Sequence, residues 1–437
     1  MLLKISFYLT TENNSQQGKT IDFISELVKI HARCYVLSKY YIPELEEFDP
    51  QYCIIRDNLL FNHSSNIPDN DSFYKSEREF LTKKKIRIII SDNPNLFRKI
   101  SKDHNIINID LHKILDSQKA ILKATGKIVQ KYVSTYNAEI SYAVFDVGTN
   151  NVQLVWAMID KDRIEIIHRA SQISAMGKNM QNGLLTKAGI ERTKKILKEF
   201  LRISTLFTNN IILIGTSCSR ESKNINLLID WLKKKYDLAY QIISDQEEAE
   251  LVGLANRKLF NEFKELIIFD IGGGSTEFIF YRGIKKIYQN SIQLGIRRIE
   301  NYKNDNQQKK IEYIRQKLNN LPVGLLKKPF LVGIGGTVTN ISAVKQSLIY
   351  YDSAVVHKRN LSKSDIEFYL KKFKKLTLDE ISKLMPFEPL RANVITTGLL
   401  IILEIMNYFG QDSIFVSDYG LQFGVLERIR LKASGIT

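Results

Sequence analysis

The stretch Asp270-Ile271-Gly272-Gly273-Gly274-Ser275-Thr276-Glu277 holds the residue types that phosphate chemistry needs. An apolar run, LIIFD, delivers Asp270 to its end as a strand would. Three glycines then let the backbone approach a ligand closely and aim amide hydrogens at phosphate oxygens. A carboxylate repels phosphate, so Asp270 implies a divalent cation between them. Mg²⁺ suits the role, because it takes one or two carboxylates and completes its shell with water and phosphate. Glu277 offers a second carboxylate. The alternative is a plain hairpin turn, against which three consecutive glycines after a strand aspartate argue.

The same frame occurs earlier. YAVFDVGTNN (142–151) is an apolar strand, Phe-Asp, an apolar residue, Gly, then small polar residues. Asp146 with Thr149 and Asn150 would repeat the design of Asp270 and its glycines. A third strand runs into a turn at FLVGIGGTVTN (330–340), where Gly335, Gly336 and Thr337 could bind phosphate or pack against a nucleotide-like ligand. Ile242 and Ile243 lead into Ser244-Asp245-Gln246-Glu247-Glu248-Ala249, which opens a helical pattern. The spacing alone fits helix capping, with acids complementing the dipole. Beside phosphate turns, a glutamate there could also serve as a base for water. After the strand NIILI, Arg220 in GTSCSRE offers either a fork of donors to phosphate or a surface ion pair.

These residues need a frame of strands ending in turns. A strand-turn unit recurring at domain-length spacing implies duplicated domains facing one cleft, since a solenoid would repeat far sooner. The chain has 437 residues, enough for two or three domains, with 44% hydrophobic and 25% charged residues, as in a soluble globular protein. Its net charge of +16 favours polyanionic partners, phosphate polymers among them, although lysine runs such as Lys233-Lys234-Lys235 also fit solvated helix faces. Cys34, Cys53 and Cys218 lack metal-ligand spacing and imply a reducing compartment. The N-terminus lacks a signal-peptide pattern, and the longest apolar run is too short to span a membrane. We expect a cytoplasmic protein that needs neither membrane nor nucleic acid. Residues 1–138 read as a small accessory α/β domain, with strand-like runs at 4–10, 32–38, 85–91 and 105–111, a helical pattern at 20–31, and a long helix from Leu111 to Tyr136. They carry no legible chemistry.

From about residue 140 onward the chain resembles the exopolyphosphatase / guanosine pentaphosphate phosphohydrolase (Ppx/GppA) family of the sugar kinase and actin superfamily. The resemblance rests on ordered stretches: FDVGTNNVQLV (145–155), GLLTKAGIERT (183–193), GTSCSRESKN (215–224), ISDQEEAELV (243–252), FDIGGGSTEFIF (269–280), SIQLGIRRIE (291–300), GIGGTVTNISAV (333–344), RANVITTGLLIILE (391–404) and VSDYGLQFGVL (416–426). It implies an α/β fold of two actin-like, RNase H-like domains around a cleft. Their expected extents are 139–262 and 263–437. It also implies Mg²⁺, or another divalent cation, and a terminal phosphoanhydride as substrate. That substrate would be inorganic polyphosphate or guanosine pentaphosphate, the latter tying the chain to the stringent response.

By the same resemblance Glu248 is the catalytic glutamate. Asp146, Asp270 and Glu277 associate with metal, and Thr149, Asn150, Arg220 and Gly272, Gly273, Gly274, Ser275 and Thr276 contact phosphate. A homodimer is left open. The family often reads Ser-Asn-Ser in the first turn with an arginine two residues later; here stand Thr149-Asn150-Asn151 and Gln153. The family's Arg-Leu-Gly-Glu-Gly reads Ala175-Met176-Gly177-Lys178-Asn179, Glu250 replaces an arginine, and Asn393 replaces the aspartate of Arg-Ala-Asp. Fewer arginines imply a weaker bidentate grip on phosphate. The departures bear on substrate preference more than on reaction type. Rival readings are a superfamily kinase, and a binding module that has kept phosphate-chain or nucleotide binding without turnover.

Overall fold

The computed structural model describes residues 140–435 except 160, 206–207, 302–305 and 350; before them it describes strands at 4–9, 33–38, 53–56, 88–91 and 107–110, and Ile24. The chain separates into two compact units, one formed by Met1–Ser141, Glu165–Arg169 and Ile203–Asn209, the other by the remainder.

In the first unit, β1 (Lys4–Leu9), β2 (Arg33–Ser38), β3 (Cys53–Arg56), β4 (Ile88–Ser91) and β5 (Ile107–Asp110) form a parallel sheet in the order β3-β2-β1-β4-β5. β3 is a strand that sequence patterning does not single out. It places Cys53 in register with Cys34 on β2, so two of the three cysteines are neighbours in the sheet. The helix expected over 111–136 lies outside the described residues, as does all but Ile24 of the helical pattern at 20–31.

From β6 onward the chain forms two sheets of one design. The first has β6 (Ile140–Val147), β7 (Asn151–Ile159), β8 (Ile164–Ile173), β9 (Ile211–Gly215) and β10 (Tyr240–Ile242), in the order β10-β9-β6-β7-β8. The second has β11 (Glu265–Ile271), β12 (Thr276–Arg282), β13 (Lys285–Ile292), β14 (Phe330–Ile334), β15 (Asn360–Ser362) and β16 (Ser413–Val416), in the order β13-β12-β11-β14-β16-β15. In each, three consecutive strands lie side by side, and two later strands add in parallel beyond the first of them. This doubled order is the actin-like architecture. It puts the C-terminal ends of β6 and β11, and hence Asp146 and Asp270, at equivalent places.

Both central strands are near-continuous apolar runs because both their faces are covered. Phe145 and Val147 on β6, and Phe269 on β11, are buried completely. Helix α1 (Lys187–Ser204) packs Leu197, Phe200 and Leu201 into the first core. Five further helices bear on the site: α2 (Ser217–Glu221), α3 (Asp245–Arg257), α4 (Ile296–Asn301), α5 (Gly336–Lys345) and α6 (Ile395–Tyr408). A last one, α7 (Leu421–Ala433), packs along α3. Helix α6 is apolar nearly all round and is the centre of the second core, with Ile401, Ile402, Ile405 and Met406 fully buried. Truncating any one of these to Ala would cost about 2–5 kcal/mol. No described helix is long and apolar enough to cross a membrane.

Candidate active site

Two turns are built alike. Two residues past Asp146, the Gly148 N–H donates to Asn151 O at 2.9 Å; two residues past Asp270, the Gly272 N–H donates to Ser275 O at 2.9 Å. The carbonyls of each turn are then taken by the segment that follows the sheet's third strand. After β8, the amides of Ala175 and Gly177 donate to Asn150 O and Thr149 O at 2.8 and 2.9 Å. After β13, the amides opening α4 do the same: Ile296 to Gly272 O at 3.1 Å, and Arg297 and Arg298 to Gly273 O at 2.7 and 3.1 Å. With the carbonyls clasped from outside, the amides of Thr149, Asn150, Gly273 and Gly274 have no backbone partner among the described residues. Backbone amides so presented are of the kind that can hold anionic oxygen.

The turns also meet. A Cβ on Gly273 would lie 2.8 Å from Thr149 Cβ and 2.9 Å from Asn150 N, and one on Gly274 would collide with Ser217 Oγ. Glycine is required here by the approach of the two halves.

Behind the turns stand the carboxylates. Asp270 and Glu277 are cross-strand partners on β11 and β12. Glu277 is 2% exposed, and its Oε1 accepts from the hydroxyls of Ser275 and Ser291 at 2.7 and 2.8 Å. Asp146 Oδ2 accepts from Gln422 Nε2 at 3.2 Å, whereas its Oδ1 is buried without a partner. Burial, and then the charge of Glu277, pushes the Asp146 carboxyl up to about 7. Burial and then the charges of Glu277 and Asp146 hold Asp270 well above the carboxylate range. Burial also raises Glu277, against the pull of its two serine donors. Glu248 is raised well above its usual value by burial and then by Glu277, with Arg220 acting in the opposite sense. These four side chains therefore share one electrostatic site.

A divalent cation suits this set. The Oδ1 of Asp146 is a buried acceptor with no donor, and the mutual repulsion of the carboxylates is relieved by positive charge. Among the described residues, no three His, Cys, Asp or Glu side chains form a protein-only cage.

Several other residues sit differently from a simple phosphate-contact list. Arg220, on α2, donates to Glu248 Oε2 at 2.8 Å and Ile243 O at 2.9 Å and also pairs with Asp245, so its fork grips the start of α3. Ser244 caps α3 by accepting from the Glu247 N–H at 3.1 Å. Helix capping and an aimed glutamate therefore coexist. The hydroxyls of Ser275 and Thr276 are spent on Glu277 and on Leu294 O.

In the third turn Gly335 has φ +95°, a conformation that favours glycine. It abuts the second turn: a Cβ there would be 2.6 Å from Ile271 O and 3.1 Å from Asp270 Oδ1. Gly336 lies against the Arg391 guanidinium, and Thr337 is fully buried against Gly398 of α6. Gly335 and Gly336 thus border the site, while Thr337 is buried behind them, its Oγ1 without a hydrogen-bond partner among the described residues.

Sequence reasoning assigned no role to Gln422, Arg297 or Arg298, although all three lie in stretches that carry the family resemblance. A cavity of about 640 Å³ opens beside the turns, lined by Thr149, Ser217, Glu221, Gly274, Arg298 and Lys223 among others. Arg298 there pairs with Glu221 and donates to Gly274 O at 2.7 Å. Cys218 also lines it, but burial pushes its thiol up to about 12, so it is no nucleophile at neutral pH.

Doubled sheets, paired glycine turns and a shared carboxylate cluster define the two-domain actin-like class. Within it, the chain belongs to the Ppx/GppA phosphatase family, whose sequence profile matches residues 155–433. It is 30% identical over 391 residues to the bifunctional 3-dehydroquinate synthase/phosphatase of Fusobacterium nucleatum, a match that takes in 83% of this chain. The match spans only 56% of that longer relative. It is 24% identical over 310 residues to exopolyphosphatase 2 of Mycobacterium tuberculosis, covering 65% of this chain and 96% of that protein. The crystal structure of the Aquifex aeolicus family member superposes with a TM-score of 0.56 at 28% identity, over 67% of this chain and 98% of the other.

Proposed function

We propose that the chain hydrolyses a terminal phosphoanhydride and releases phosphate from inorganic polyphosphate. What carries this reading is the pairing of two glycine turns, whose amides have no backbone partner among the described residues, with the carboxylates Asp146, Asp270 and Glu248, each raised by burial and by the charge of Glu277. The amides of Thr149, Asn150, Gly273 and Gly274 would hold the terminal phosphoryl group. One or two of Asp146, Asp270 and Glu277 would hold a divalent cation, and positive charge there would offset the charge on that group. Glu248 would orient a water and take its proton. Arg220 fixes its direction. As the water oxygen bonds to phosphorus, the bridging P–O bond breaks, and the shortened chain leaves with the electron pair. The net charge of +16 would draw in the polyanion.

A second reading takes guanosine pentaphosphate as substrate. The 640 Å³ cavity beside the turns supports it, because it has room for more than a bare phosphate chain and carries polar side chains such as Asn182 and Lys223 on its wall. Phosphate release from long polyphosphate and from guanosine pentaphosphate, each with and without Mg²⁺, separates the two readings. Release from neither would leave the chain a binding module. Transfer to a sugar or acid without release to water would make it a kinase.

A further inference from the structure

Arg297, in the first turn of α4, ties both turns together. Its N–H donates to Gly273 O at 2.7 Å, and its Nε donates across to Asn150 Oδ1 at 2.6 Å. The side chain is only 6% exposed. A guanidinium carries five N–H donors, and among the described residues only the Nε hydrogen of Arg297 has a partner. The Asn150 Nδ2, at the other end of that bond, is also buried without a partner.

The charge balance is uneven as well. Arg391 and Arg192 lie within electrostatic reach of Arg297, and the carboxylate within reach is Glu300. Arg391 is paired with Glu388, and Glu300 with Lys310. Arg192 donates to the carbonyls of Ser174 and Ala175. Among the described residues Arg297 makes no ion pair. A buried cation with spare donors, beside an unsatisfied amide and the free N–H groups of two glycine turns, lacks an anion.

We propose that Arg297 is a substrate-binding residue, contacting the phosphate chain where the two turns meet. This rests on the hydrolase reading and deepens it. The shared ligand chemistry is a phosphate chain, with or without a nucleoside.

The test is calorimetry of inorganic tripolyphosphate and of GTP on the full chain, in EDTA and at two salt concentrations. Arg297→Met should weaken tripolyphosphate binding by about tenfold to a hundredfold, flatten its salt dependence, and leave the chain folded by circular dichroism. Arg297→Lys should retain the salt dependence while losing part of the affinity. Parallel losses for GTP mark a nucleotide chain as an equal ligand; a loss confined to tripolyphosphate assigns the site to the inorganic chain. Unchanged affinity and salt dependence in a folded Met variant overturn the proposal. Should Arg297→Met fail to fold, Arg297→Lys decides by itself, and undiminished binding in it overturns the proposal. Because binding is read without turnover, the two readings fail separately. A wild-type chain that binds through Arg297 but releases no phosphate sinks hydrolysis alone, whereas a hydrolase indifferent to Arg297→Met sinks this assignment alone.

Discussion

Asp146→Asn tests the carboxylate cluster through stability. The Asp146 carboxyl rises from 3.8 to about 7 because it is buried and faces Glu277. At 1.36 kcal/mol per unit, a rise of about three units costs the folded state about 4 kcal/mol once both states are ionised. The sign follows from proton binding. Below about pH 4 the group is protonated folded and unfolded, so it costs nothing. Between about pH 4 and 7 the unfolded chain releases the proton while the folded chain keeps it, and stability falls as pH rises. Without divalent cation, the wild-type melting temperature should therefore drop across this window. Asn, of the same shape and uncharged, removes this contribution. The variant should melt several degrees higher than wild type at pH 8 in EDTA, and should lose most of the stabilisation that Mg²⁺ or Mn²⁺ gives the parent. Differential scanning calorimetry at pH 4.5, 6 and 8, with and without cation, reads all of this. A variant that melts lower than wild type at pH 8 in EDTA, with full cation stabilisation retained, would refute the reasoning.

Gln422→Leu removes the donor on Asp146 Oδ2; losing such an outer-shell partner should weaken Mn²⁺ binding, followed by EPR titration, by about tenfold to a hundredfold. Gly273→Ala places a methyl 2.8 Å from Thr149 Cβ and 2.9 Å from Asn150 N. It should cost about 1–3 kcal/mol in urea unfolding and weaken tripolyphosphate binding more than Gly283→Ala, which meets no neighbour and is strained only by its φ of +58°. A chain beginning near Glu139 should retain phosphate release, with affinity for long chains altered. A soluble, folded but inactive product would place part of the site in the first unit.

The cluster was legible because its parts are local. Asp146 and Asp270 stand two residues before the glycines that close their turns, and Glu277 is reached by one hairpin. Duplication made each turn readable from the other. What escaped reading acts across the chain. Gln422 meets Asp146 only because α7 returns to β6, and Arg297 meets Asn150 only because α4 spans from one half to the other. No spacing in the sequence encodes such contacts. Arg220 was placed near phosphate by motif, yet its fork closes on Glu248 and Asp245, a choice set by how β10 and α3 approach α2. Thr337 follows two glycines as a phosphate-binding residue would, but it is turned into α6 by its neighbour Gly398. In the first unit, β3 is the run CIIR, which does not alternate.

The central claim is that Glu248 activates water for attack on a terminal phosphoanhydride. The most direct measurement is the rate of phosphate release from long-chain polyphosphate in Mg²⁺ by the wild-type chain and by Glu248→Gln, with calorimetry confirming that both are folded. The account predicts steady release by the wild type, a loss of about a hundredfold or more in the variant, and undiminished tripolyphosphate binding by both. Release by Glu248→Gln at the wild-type rate would contradict it.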